Sequence, residues 1–136
     1  MPQDLCEQAI DLTDVDLSYT MTISNDVFSE SSTTSCGGSG IGQIFYVDVP
    51  GFHTVSIGML SNTFDSVHEL SYGELCPGSV SVQCRHEPDT LMETWKNGFK
   101  NSIRVWFVVD SNAKDNSEKT LTLKRDFTVT GNDTNL

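Results

Sequence analysis

Asp11, Asp14, Asp16 and Ser18 are oxygen-bearing side chains close enough in sequence to surround one hard cation. Glu87 and Asp89, on either side of Pro88, form a second such stretch. Calcium is the ion that suits them, because it gathers several oxygen ligands in a loose geometry. The EF-hand scheme, counted from Asp14, needs a glycine at the sixth place and a glutamate at the twelfth. This chain has Tyr19 and Asn25 there, so the first stretch reads as a solvated acidic segment. Asp14, Asp16, Glu87 and Asp89 are the candidate metal ligands. Asp65, which follows Phe64, is expected to cap a turn through its side chain.

Nucleophilic chemistry finds little to work with. His53, His68 and His86 are separated by turn signals, and there is no Gly-x-Ser-x-Gly elbow or His-Glu-x-x-His helix. Cys6, Cys36, Cys76 and Cys84 form an even set without a Cys-x-x-Cys pair, which points to disulfides rather than zinc or thiol redox chemistry. Three pairings are open. The preferred one is Cys6–Cys36 with Cys76–Cys84, the latter clipping the turn at Pro77-Gly78. Loop-closure entropy then gives about 3.5 and about 2.5 kcal/mol. Such bonds persist in an oxidising compartment, so a secreted, extracellular protein is expected. Met1-Pro2-Gln3-Asp4 lacks the basic start and apolar core of a signal peptide, and is expected to open a mature segment. Asn132-Asp133-Thr134 is a glycosylation sequon in the tail.

Aromatic side chains are the usual anchors for a protein or polymer ligand. Phe45, Tyr46, Trp106 and Phe107 lie in apolar runs, where alternate residues must face a core. Tyr72, Trp95 and Phe99 sit near loops and are the candidate ligand-binding residues.

The elements that must carry these residues are strands. The segment 19–23 alternates with period two, and 43–49 (QIFYVDV) reaches Pro50-Gly51, a turn that predicts a hairpin with 52–60. Short strands are expected over 66–70 and 79–83. Residues 91–95 suit either a strand or one helical turn. The strongest apolar strand, 102–109 (SIRVWFVV), belongs at the centre, and 120–129 alternates as the last strand. The polar stretch 29–42 reads as a loop anchored by Cys36, and residues 4–12 suit either the one short helix or an extended segment. The fold class is therefore all-β: an antiparallel, jelly-roll-like β-sandwich of about eight strands, stapled by disulfides. One domain covers residues 1–130, and 131–136 form a flexible tail.

Composition excludes several partners. With 8 Lys and Arg against 19 Asp and Glu, the formal charge is −11, which disfavours nucleic acid and anionic membrane surfaces. The longest apolar run, 105–109, is far shorter than the roughly 20 residues of a membrane span.

The ordered signals resemble a known family. A Cys-x-x-Ala-Ile opening at Cys6 to Ile10 precedes Cys36-Gly37 and the aromatic strand from Ile44 to Gly51. Thr54-Val55-Ser56-Ile57, Phe64-Asp65-Ser66, the Gly-x-x-Cys turn from Gly73 to Cys76, and Cys84 follow. Ile103-Arg104-Val105 and Leu121-Thr122-Leu123 close the series. In this order they resemble the bacterial pre-peptidase C-terminal domain, a β-sandwich appended to secreted proteases and other extracellular proteins. The chain departs from the family at Val67-His68-Glu69-Leu70, and at Arg85-His86-Glu87-Pro88-Asp89, so no calcium set carries over. The resemblance implies a non-catalytic accessory module and does not name its ligand. The leading reading is an extracellular binding domain that holds its parent protein to a matrix protein or polysaccharide through loop aromatics and carboxylates, with calcium as a candidate for ordering the loops. The rival readings are a self-associating structural module of a cell-surface or wall protein, and an unrecognised hydrolase.

Overall fold

A computed structural model describes residues 2–15, 18–24, 34–112 and 117–129. The helix α1 (Pro2–Glu7) leads into β1 (Ile10–Asp11) and β2 (Ser18–Thr22). Then come β3 (Gly42–Val49), β4 (His53–Asn62), β5 (Ser66–Tyr72) and β6 (Val80–Arg85). The chain closes with β7 (Met92–Lys96), β8 (Ile103–Ser111) and β9 (Thr120–Val129). The strands form two sheets, in the orders β1-β3-β8-β5-β6 and β2-β9-β4-β7. Every pairing is antiparallel except the two-residue contact of β1 with β3. Every connection from β1 to β9 changes sheet, apart from the β5–β6 hairpin. This is an all-β, two-sheet sandwich.

Alternation decides which side chains fill it. Phe45 and Val47 of β3, Val105 and Phe107 of β8, Val55 and Ile57 of β4, and Leu121 and Leu123 of β9 are buried together between the sheets. On the opposite face of the five-stranded sheet, Ile44, Trp106 and Val108 are covered by Leu5 of α1. That second covering is why β8 runs apolar without a break. β5, written as SVHELSY, is buried at six consecutive positions despite its polar residues, because Ser35 lies over Glu69 and Gly78 against Ser71 on its outer face. The four-stranded sheet, by contrast, turns its outer face to solvent. There β2 and β9 set Thr20 against Thr122 and Thr22 against Thr120, with hydroxyl oxygens 2.8 and 2.9 Å apart.

One polar cluster joins the sheets. His68 of β5, fully buried, places Nε2 2.9 Å from Oε2 of Glu93 on β7, and Arg85 of β6 donates to the same oxygen at 2.6 Å. His68 and Arg85 are paired neighbours across β5 and β6, so the two donors converge on one carboxylate. The His68 ring also lies 5.4 Å from that of Phe107.

Three expectations are corrected. The turn at Pro50-Gly51 does not make a hairpin, because β3 pairs with β1 and β8 whereas β4 pairs with β7 and β9. Buried Asn97 fixes this corner by donating to the carbonyls of Val49, Pro50 and Asn101. The helix ends at Glu7, and Ile10–Asp11 pairs as a strand instead. The cysteines join as Cys6–Cys76 and Cys36–Cys84, not as Cys6–Cys36 and Cys76–Cys84. Cys76 lies in the β5–β6 connection and Cys84 near the far end of β6. Cys76 packs with Cys6 against the cluster of Leu5, Ile44 and Trp106 on the outer face, which brings it to Cys6 and not to Cys84. Loop closures of 70 and 48 residues are each worth about 4 kcal/mol taken singly. The preference for 102–109 as the centre holds, since β8 is the middle strand of its sheet. Residues 91–95 resolve as strand.

Candidate functional site

The β5–β6 connection, residues 73–79, is held from several sides. Gly73 donates its N–H to the carbonyl of Arg104 at 3.1 Å and accepts the indole N–H of Trp106 at 2.8 Å. Ser79 N–H donates to Tyr72 and Gly78 N–H to Leu75, at 2.9 and 2.6 Å. The Cys6–Cys76 disulfide ties the middle of the loop to α1. Gly78 has φ +98°, and a Cβ there would meet the Ser71 Cβ at 2.6 Å, so only glycine fits this close approach. Against that support, Leu75 is 80 % exposed and Glu74 beside it is also exposed. The braced loop therefore presents an apolar side chain to solvent at its tip.

The loop is the shared wall of two concavities. The larger, about 610 Å³, is lined by Asp48, Tyr72, Glu74, Ile103 and Arg104 among others. Arg104 of β8 grips Asp48 of β3 through two parallel bonds, Nε to Oδ1 at 2.8 Å and Nη2 to Oδ2 at 3.0 Å. Its guanidinium lies 4.1 Å from the centre of the Tyr46 ring. The bond to Asp48 raises the Arg104 pKa above its ordinary value, outweighing the opposing effect of burial, so this cation stays charged.

The smaller concavity, about 340 Å³, lies on the other side of the loop, lined by Thr34, Ser35, Ser71, Ser79 and Ser81 with Pro77 and Gly78. Its floor is the Glu69 carboxylate, only 6 % exposed. Oε1 accepts the Ser35 N–H at 2.9 Å, and Oε2 accepts the hydroxyls of Ser35 and Ser81 at 2.6 and 2.5 Å. The Cys36–Cys84 disulfide holds the segment carrying Ser35 over this end of the sheet.

The aromatic candidates divide. Tyr72 and Trp95 stack on each other, with centroids 5.1 Å apart, and both pack against the core. Tyr72 also lines the larger concavity. Phe99 is 63 % exposed, in the β7–β8 connection, and makes no ring contact among the described residues. The three therefore form no common stacking platform.

The metal candidates divide as well. Glu87 and Asp89 come together with Asp65, ligand oxygens of the three lying within 4.8 Å of one another. Asp14 is exposed in a turn and belongs to no such group, and Asp16 lies outside the described residues. Asp65 makes no side-chain hydrogen bond to its own turn among the described residues, and the Ser66 N–H and hydroxyl donate to Asp89 Oδ1 at 3.1 and 2.9 Å. Oxygen donors of this kind would suit a hard cation such as calcium. The histidines are engaged singly: His53 with the Gly51 carbonyl, His68 with Glu93, and His86 with the Cys36 carbonyl. The sequon at Asn132 and the tail 131–136 lie outside the described residues.

Sequence reasoning missed Leu75, Arg104 and Glu69. The Gly73-to-Cys76 turn was the available signal, because a glycine and a cysteine around Glu-Leu mark a rigid loop with an apolar tip.

What the fold and the loop define is a two-sheet sandwich presenting one clamped projection. No family model matches the chain, and no curated protein does. Solved structures do resemble it. Aeromonas hydrophila PliG, a periplasmic lysozyme inhibitor of g-type lysozyme, aligns with a TM-score of 0.53 at 9 % identity, over 89 % of this chain and 96 % of that one. CorA, a surface-associated copper-binding protein important in Methylomicrobium album BG8 copper acquisition, aligns with a TM-score of 0.49 at 10 % identity, over 88 % and 98 %. The likeness to PliG is one of fold. Among the described residues no helix is long and apolar enough to cross a membrane.

Proposed function

We propose that this chain is a non-catalytic extracellular binding module, akin to the pre-peptidase C-terminal domain, that grips a basic protein through the 73–79 loop. The observation that carries the reading is Leu75, 80 % exposed at the tip of a loop braced by Trp106, Arg104 and the Cys6–Cys76 disulfide. A loop already ordered in its bound shape loses little entropy on docking. The formal charge of −11, with Glu74 beside the anchor, attracts a positively charged partner and steers its approach. Two disulfides are compatible with residence outside the cytosol. A protein partner is favoured over a polysaccharide because Tyr72 and Trp95 turn their faces to each other. The same kind of sandwich serves a protein-binding task in PliG, an inhibitor of g-type lysozyme.

The test is binding of the immobilised chain to a g-type lysozyme, other basic proteins, an acidic control protein, collagen, chitin, cellulose and alginate, with and without calcium. Binding to a basic protein that Leu75→Asp abolishes is expected. Retention on a polysaccharide alone, or binding indifferent to Leu75→Asp, overturns the reading.

Self-association is the second reading, favoured by β2. This edge strand, SYTMT, has no lysine or proline to deter a further strand. Light scattering over a concentration series checks it.

A further inference from the structure

We infer that the concavity over Glu69 is a receptor for an alkylammonium or guanidinium group, supplied by a lysine or arginine side chain of the protein partner. This deepens the loop-binding reading and rests on it for the owner of the cation.

Three features carry the inference. First, the floor is a carboxylate buried to 6 % exposure, and among the described residues no arginine, lysine or histidine forms an ion pair with it. Its three bonds come from one N–H and two hydroxyls, all neutral donors. A buried charge is costly unless a counter-charge reaches it, and the opening above is where one can enter. Second, the walls are hydroxyl groups of Thr34, Ser35, Ser71, Ser79 and Ser81. A hydroxyl oxygen that donates its proton to Glu69, as Ser35 and Ser81 do, keeps lone pairs for an incoming donor. An ammonium has three donors and a guanidinium five, each needing an acceptor, and a carboxylate ringed by hydroxyls supplies them. Third, the opening shares its wall with the loop that carries Leu75, so one partner surface would meet the apolar tip and the anionic recess together. Exposed Pro77 on that wall offers the apolar contact that a lysine or arginine stem makes on its way to a buried charge.

The probes are n-butylammonium, n-butylguanidinium and, as the neutral control, 1-butanol, titrated into the isotopically labelled full chain and followed by amide chemical shifts. Saturating shifts centred on Ser71, Gly78, Ser79 and Ser81 are expected with the two cations and not with butanol. Glu69→Gln keeps the size and one acceptor oxygen, and is expected to weaken cation binding by about ten-fold or more. Ser79→Phe closes the mouth without touching the carboxylate and is expected to do the same, which keeps the test open if Glu69→Gln fails to fold. Shifts that never saturate, or that Glu69→Gln and Ser79→Phe leave unchanged, overturn the site. Leu75→Asp is expected to spare the amine titration while abolishing protein binding, so failure of the loop reading and failure of the recess are told apart. Amine binding without any effect of Glu69→Gln on the protein complex overturns the assignment to a partner side chain and gives the recess to a free amine.

Discussion

The indole N–H of Trp106 donates to the carbonyl of Gly73 at 2.8 Å, so a residue of the outer apolar cluster sets the root of the loop whose tip is Leu75. Trp106→Phe keeps an aromatic ring in the outer cluster and removes this bond together with part of the buried indole. It is expected to cost about 1–2 kcal/mol in urea unfolding. Amide exchange over 73–79 is expected to quicken ahead of any change in the strands.

Leu75 itself contributes little to folding. Leu75→Ala is expected to change stability by less than about 0.5 kcal/mol, since the side chain is 80 % exposed. The same substitution is expected to weaken a protein complex by about 2 kcal/mol, the mark of an anchor rather than a spacer. Thermal unfolding and surface-plasmon titration separate the two effects.

Gly78→Ala has the opposite profile. At φ +98°, with the Ser71 Cβ 2.6 Å from the new methyl, the backbone must move. A loss of about 1–3 kcal/mol is expected, together with weaker binding through displacement of the loop.

The cluster of His68, Arg85 and Glu93 predicts an asymmetry. Glu93→Leu strands two donors at once and is expected to cost about 3 kcal/mol. His68→Phe leaves Glu93 with Arg85, keeps a ring beside Phe107, and removes a buried Nδ1 that has no hydrogen-bond partner among the described residues. It is expected to cost less than half as much. Paired denaturation curves decide it.

Peptide mapping under non-reducing conditions is expected to recover fragments joining Cys6 to Cys76 and Cys36 to Cys84. A fragment joining Cys76 to Cys84 would contradict the structure.

Strands that bury one face announced themselves. β9 alternates Leu121, Leu123, Arg125 and Phe127 inward with Thr120, Thr122, Lys124 and Asp126 outward, and its bounds follow from that rhythm alone. β5 does not alternate in the same way, because the segment around Ser35 and the 73–79 loop cover its outer face. Glu69 and Ser71 look like surface residues until those coverings are placed, and His68, on the inner face, looks like one until Glu93 is placed beside it. Pro50-Gly51 was legible as a turn but not as a corner between sheets, since the difference depends on Asn97, which lies 46 residues beyond Gly51 and binds the Val49 and Pro50 carbonyls. Glu87 and Asp89 were legible as oxygen donors. Asp65 joins them only because the β4–β5 and β6–β7 connections meet in space. Tyr72 was chosen for its place beside a turn, and it does line a concavity, whereas the exposed Leu75 three residues further on carries no aromatic ring to draw notice.

Neither covalent bridge passes from one sheet to the other. Cys6–Cys76 and Cys36–Cys84 both rivet coverings onto the five-stranded layer, whereas the seam between the layers is closed by packing and by polar contacts that include His68 and Arg85 to Glu93 and Asn62 to Ser66. A reductant therefore acts first on the upholstery and only indirectly on the frame: it would unfasten α1 from the 73–79 loop, and the Ser35 segment from β6, before it threatened the two packed layers.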